Sequence, residues 1–226
     1  MILRYKNPHQ CIMKQFIVYS FVIIFLLLSG YEFYSVVGYA FFNIKAFQWL
    51  GYGFIGYFIL HRLKFIAQNE QWLRTHSHEF THAIVGMFLA RKIHSLQANE
   101  SNGVVYHSGG RFGDVFISIA PYCLPLLTYC ILFFRIFGDH KLYYVFDLFV
   151  GLTLAFHVSC FWRDTGFHQS DLKKHGKFKS LILIIALWLF NSAVVLLSIK
   201  CGLKDAIVNI FCNFWSNIVN LGNLFF

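Results

Sequence analysis

Leu181-Ile-Leu-Ile-Ile-Ala-Leu-Trp188-Leu-Phe-Asn191-Ser-Ala-Val-Val-Leu-Leu-Ser-Ile199 runs nineteen residues without a charge. As a helix rising about 1.5 Å per residue it spans roughly 28 Å, close to the ~30 Å hydrocarbon core of a bilayer. A helix is the expected form, because lipid offers backbone N–H and C=O groups no partner. Five further apolar segments lie upstream, near Phe16–Gly30, within Ser35–Leu60 (interrupted by Lys45), and at about Trp72–Ala90, Phe112–Phe137 and Tyr143–Trp162. The expectation is an all-α polytopic integral membrane protein of about six transmembrane helices, forming a single domain over 1–226. The closing stretch, Ala206–Phe226, carries Asn209, Asn213, Asn217, Asn220 and Asn223 among Phe211, Trp215 and aliphatics. That mixture suits an interfacial or peripheral helix.

Composition agrees. The 226 residues are 58% hydrophobic, 20% aromatic and 13% charged, with a mean hydropathy of +0.57. An ordinary soluble domain is about 25% charged. A disordered chain needs high charge and low hydrophobicity, so that class is excluded. The net charge is +9. The basic residues sit beside apolar runs, which points to anionic lipid headgroups rather than nucleic acid. Six cysteines (Cys11, Cys123, Cys130, Cys160, Cys201, Cys212) form no Cys-x-x-Cys pair, so neither a disulfide framework nor a zinc ribbon is indicated. Arg4, Lys6 and Lys14 precede the first apolar run, but Tyr31-Glu32-Phe33 stands where a small-x-small cleavage site would follow. The first segment therefore reads as an uncleaved helix.

Charge asymmetry gives conflicting orientations. The N-terminus and the Arg62–Lys64–Arg74 region agree as cytoplasmic, yet counting onward puts the basic Arg163–Lys179 loop outside. Either one segment does not span, or one end breaks the rule. Two other local features matter. Pro121 and Pro125 should bend the fourth segment. Between segments three and four, Asn102-Gly103 and Gly109-Gly110 flank a β-branched run and predict a turn, a short strand and a turn over Ser101–Gly110.

Segment three carries chemistry-bearing residues: His78-Glu79-Phe80-Thr81-His82. On a helix, positions i and i+4 share a face, so His78 and His82 can grip one ion, and imidazole pairs suit zinc. Glu79 lies beside the pair, where it can take a proton from a water instead of ligating. His76 faces away. Ionisable residues in a membrane segment are costly and by default functional. A catalytic zinc takes three protein ligands and keeps one open position. Candidates for the third are Asp171, in Gly166-Phe167-His168-Gln169-Ser170-Asp171-Leu172, together with Asp164, His157 and His168. Ser170 is read as a helix cap and Gln169 as a group that fixes a carboxylate.

The membrane-embedded His-Glu-x-x-His resembles the site-2 protease family of intramembrane zinc metalloproteases, over about Trp72 to Ile199. The resemblance implies two histidine ligands and a glutamate base from this helix. It also implies a third ligand from an aspartate near the start of a later core helix, which favours Asp171. The family's usual Asp-Gly pair is absent, since Leu172 follows Asp171. On this resemblance 67–200 is the catalytic core, 1–66 an accessory pair of helices and 201–226 a peripheral helix. The expected reaction is hydrolysis of a peptide bond in a membrane-anchored polypeptide, with Zn2+ as cofactor and Glu79 as general base. The alternatives are a catalytically inactive metal-binding relative, a metal or ion transporter, and a membrane hydrolase acting on lipid or another amide. Gly103–Ser108 offers a strand edge to an unwound substrate. The Phe-, Ile- and Asn-rich usage suggests an AT-rich bacterial genome, and the expected location is a bacterial inner membrane.

Overall fold

The fold comes from a computed structural model that describes residues 8–66, 69–99, 103–110, 113–165 and 169–225. Its order is α1 (Pro8–Phe42), α2 (Ile44–Arg62), α3 (Glu70–Phe88), β1 (Lys92–Ala98), β2 (Gly103–Ser108), α4 (Asp114–Cys123), α5 (Leu126–Phe137), a 3-10 turn (His140–Leu142), α6 (Tyr143–Asp164), α7 (Ser170–Lys174), α8 (Lys177–Cys201) and α9 (Leu203–Phe225).

Among the described residues three helices are long and apolar enough to cross a membrane: Phe16–Phe42, His140–Asp164 and Lys177–Cys201. A fourth span exists if α4 and α5, bent by 81° at their break, count as one. The expected six spans therefore fall to three or four. The physical reasons are local. The first two apolar segments divide at Asn43, two residues before Lys45, so Ser35–Phe42 extends α1. Helix α3 is diluted by its histidines, Arg74 and two glutamates. Helix α9 is diluted by its asparagines. In the fourth segment Pro125 lacks an N–H and holds Leu124 extended (φ −101°, ψ 108°), which produces the expected bend. Pro121 lies inside α4 without ending it.

Helix α8 is the centre of the bundle. Its buried face meets α1 and α9 through Leu28, Val36, Ala193, Val194, Ile210 and Phe214. Toward its N-terminus it meets α4 and α7 through Ile119, Tyr122, Leu172, Leu183 and Ile184. Helices α2 and α6 cross more closely than side chains normally permit. A Cβ at Gly53 would overlap the Leu148 carbonyl, and one at Gly151 would overlap the Leu50 carbonyl. Backbone meets backbone at both points, a device common where small residues line membrane helix contacts.

The insertion after α3 is an antiparallel hairpin, β1 against β2, paired from Lys92↔Ser108 to Ala98↔Gly103. The expected strand is β2. Its partner β1 has no glycine or proline in its own run and becomes recognisable only by pairing. Arg91, 6% exposed, joins the hairpin base to α4 through Asp114.

Candidate metal centre

Helix α3 carries His78 and His82 one turn apart, with their Nε2 atoms 3.2 Å from each other. Helix α7 brings Asp171 opposite them. Its Oδ2 lies 3.8 Å from His78 Nε2 and 3.5 Å from His82 Nε2. One ligand atom from each of the three lies within 4.8 Å of the other two. Zinc bonds of about 2.0–2.1 Å separate the ligand atoms of a tetrahedral site by roughly 3.3–3.4 Å. The observed separations bracket that value, and two imidazoles with one carboxylate form a donor set that zinc accepts.

Each group is positioned by something identifiable. His82 Nδ1 bonds the Ile117 carbonyl of α4 at 2.7 Å, which leaves Nε2 toward the centre. Asp171 sits on a five-residue helix held by Leu172, which is 0% exposed in the α4–α8 core. Leucine where the family usually has glycine thus serves as the anchor of α7. Tyr122 donates its hydroxyl to Asp171 Oδ2 at 3.5 Å and sets its ring edge-on to His78, 5.2 Å between centroids. Gln169 lines the cleft but makes no hydrogen bond to Asp171 among the described residues, so Tyr122 fills the role expected of Gln169. Burial pushes the Asp171 carboxyl upward, but hydrogen bonding and charge from His78 and His82 override it and hold Asp171 below the usual carboxylate range.

Glu79 is 8% exposed and has no hydrogen-bond partner among the described residues. Burial raises its carboxyl above the ordinary range, against the opposing pull of His82 and His78. Gly103 of β2 lies against it so closely that a Cβ there would overlap the carboxyl group. The centre opens into a cleft of about 610 Å³ whose walls include Glu79, Gly103, Val105, His107, Ser118 and Lys174. Strand β2 therefore forms one wall, with Gly103, Val105 and His107 less exposed than the residues alternating with them.

The remaining sequence candidates separate. Asp164 lies outside the three-atom cluster and pairs with Arg74 Nε at 3.6 Å. His157 is buried in α6, also outside the cluster. His168 lies outside the described residues.

A second polar group occupies the start of α3. Glu70, 5% exposed, accepts from Tyr57 Oη at 3.0 Å, and its carboxylate lies 2.7 Å from His61 Nε2 and 2.8 Å from Arg163. Burial raises its carboxyl, and bonding from Arg163, His61 and Tyr57 outweighs that and lowers it. Sequence reasoning missed this cluster, because its members are 9, 13 and 93 positions away from Glu70 and carry no motif.

The Peptidase M50B-like family matches residues 49–199, two thirds of the chain. The chain belongs to this family. No curated protein and no solved structure matches it. The matched span of this M50B-like chain begins inside α2 and ends inside α8, so it contains α3, the hairpin and α7. The resemblance to site-2 proteases is thereby upheld.

Proposed function

We propose that this membrane protein is an intramembrane zinc metallopeptidase that hydrolyses a peptide bond of a membrane-anchored polypeptide. The observation that carries this reading is the three ligand atoms gathered within 4.8 Å beside the Glu79 carboxyl at the wall of one cleft. His78 and His82 hold the ion through Nε2, and Asp171 through a carboxylate oxygen. When bound, zinc supplies Lewis acidity that makes a water nucleophilic near neutral pH and polarises the scissile carbonyl.

The remaining work falls to the chain's own groups. Glu79 takes the proton from the attacking water and delivers it to the leaving amine. Its lack of competing hydrogen bonds leaves the carboxylate available for both transfers. A helical substrate hides its carbonyls, so it must unwind before attack. Strand β2 supports this step, since an extended peptide adding to its edge has main-chain partners in place of those it loses. Gly103 allows that strand to approach Glu79. The exposed Lys173, Lys174 and Lys177, beside exposed Phe178, face anionic headgroups. A bacterial inner membrane is the proposed location.

Zinc per chain in detergent-purified protein tests the reading, together with cleavage of membrane-anchored and lipid substrates. About one zinc in wild type and in Glu79→Gln, with loss in His78→Ala and Asp171→Ala, is expected. Peptide cleavage in wild type alone completes the assignment. Metal flux that survives Glu79→Gln would instead indicate a transporter. Zinc binding without cleavage of any peptide would indicate an inactive relative.

A further inference from the structure

The two histidines of the centre are held differently. His82 has the Ile117 carbonyl on its Nδ1. His78 has its Nε2 toward His82 and Asp171, and its Nδ1 has no hydrogen-bond partner among the described residues. A histidine that ligates a metal almost always donates its other ring N–H to a carboxylate, a carbonyl or a water. His78 lacks the first two.

A small cavity adjoins the cleft and shares Arg74, His78 and Asp164 with it. Its volume is about 20 Å³, room for roughly one water. His157 of α6 forms part of its wall. His157 is 8% exposed, and its buried Nε2 has no hydrogen-bond partner among the described residues. Three of its other polar groups are engaged: Thr81 Oγ1 donates to the Ser77 carbonyl at 2.7 Å, Thr153 Oγ1 to the Phe149 carbonyl at 2.9 Å, and Arg74 pairs with Asp164, while the Ser77 side chain also lines the space. His78 and His157, each with a ring nitrogen that has no hydrogen-bond partner among the described residues, thus line one water-sized space.

We propose that this cavity holds a single structural water that accepts from His78 Nδ1–H and donates to His157 Nε2. His157 is then a positioning residue for the first ligand of the metal centre, acting through the water and not by ligation. The inference rests on the zinc reading of that centre. It accounts for a histidine buried in an apolar helix outside the three-residue donor cluster. It also gives His78 the support that Ile117 gives His82.

The test uses the full chain in detergent, with zinc affinity measured by chelator competition and the ligand-field bands of the cobalt-substituted protein as a second readout. His157→Leu is expected to weaken zinc binding about 10- to 100-fold and to shift the cobalt bands. His157→Gln, which returns an acceptor to the cavity, is expected to recover most of the affinity. Ser77→Val fills the same cavity from α3 and leaves His157 in place. It is expected to reproduce the loss, and it decides the matter if His157→Leu does not fold. Wild-type affinity and unshifted bands in both cavity variants overturn the inference. So does a loss in His157→Leu that His157→Gln does not repair, because that would mark a packing role. A wild-type chain that takes up neither metal overturns the zinc reading itself, a distinct result from a metal-binding chain indifferent to His157.

Discussion

Glu70 and Glu79 stand on one helix, nine residues apart, and are 5% and 8% exposed. Glu70 is surrounded by Tyr57, His61 and Arg163, which tie α2 and α6 to the start of α3. Glu79 has two imidazoles and a carboxylate nearby and accepts no hydrogen bond among the described residues. Their carboxyls accordingly shift in opposite directions, Glu70 down and Glu79 up. The contrast teaches that burial of an acid does not by itself indicate a role. A satisfied buried acid holds elements together. On the proposed reading, one without a hydrogen-bond partner beside a gathered donor set is kept ready for a proton.

Exchanging the two carboxylates for neutral groups should separate the roles. The largest effect is expected from Glu79→Gln, which should lower peptide hydrolysis on the order of 10³-fold. Bound zinc should stay, and the melting temperature should be unchanged or raised. A cleavage rate within a few-fold of wild type would remove Glu79 from the chemistry. Gly103→Ala comes next, since the added Cβ must displace the Glu79 carboxyl. A shift near 1 Å costs about 10²-fold in rate, so single-turnover cleavage should fall by that order while zinc content holds. If activity survives, β2 does not constrain the base.

Glu70→Ala should behave in the opposite way. Losing hydrogen bonds to charged groups costs about 2 kcal/mol of stability, read by chemical denaturation in detergent, with zinc stoichiometry intact. Loss of zinc without loss of stability would show that the two ends of α3 are not separate. The smallest effect is the pH dependence of that same difference. Folded Glu70 titrates below its ordinary value of 4.5. Its stabilising contribution is therefore complete above about pH 4.5 and declines as pH falls through the folded value. The stability gap between wild type and Glu70→Ala should narrow on acidification. A gap that widens would reverse the assigned direction.

How much was legible follows the range of each interaction. His78 and His82 could be paired from spacing alone, because a helix brings i and i+4 onto one face. The 81° break followed from Pro125, and β2 from its flanking glycines. The span count was overestimated. Apolar runs read by eye pass over the polar residues scattered within them, and neither α2 nor α3 is long and apolar enough over its whole length to meet the requirement for a span. Asp171 was one acid among several candidates. What distinguishes it from Asp164 is that Leu172 plugs into the α4–α8 core, while Asp164 is turned to Arg74.

Local periodicity and composition were thus sufficient for the membrane class, the helical character and the histidine pair with its neighbouring acid, because each depends on residues within a few turns of one another. The third member of the cluster, the contact of Gly103 with Glu79, the Glu70 network and the small cavity at His157 were decided by packing alone. Each joins residues far apart in the chain. Their meeting depends on how closely α2 crosses α6 and where α7 is anchored, distances set by the whole bundle and carried by no single stretch of sequence.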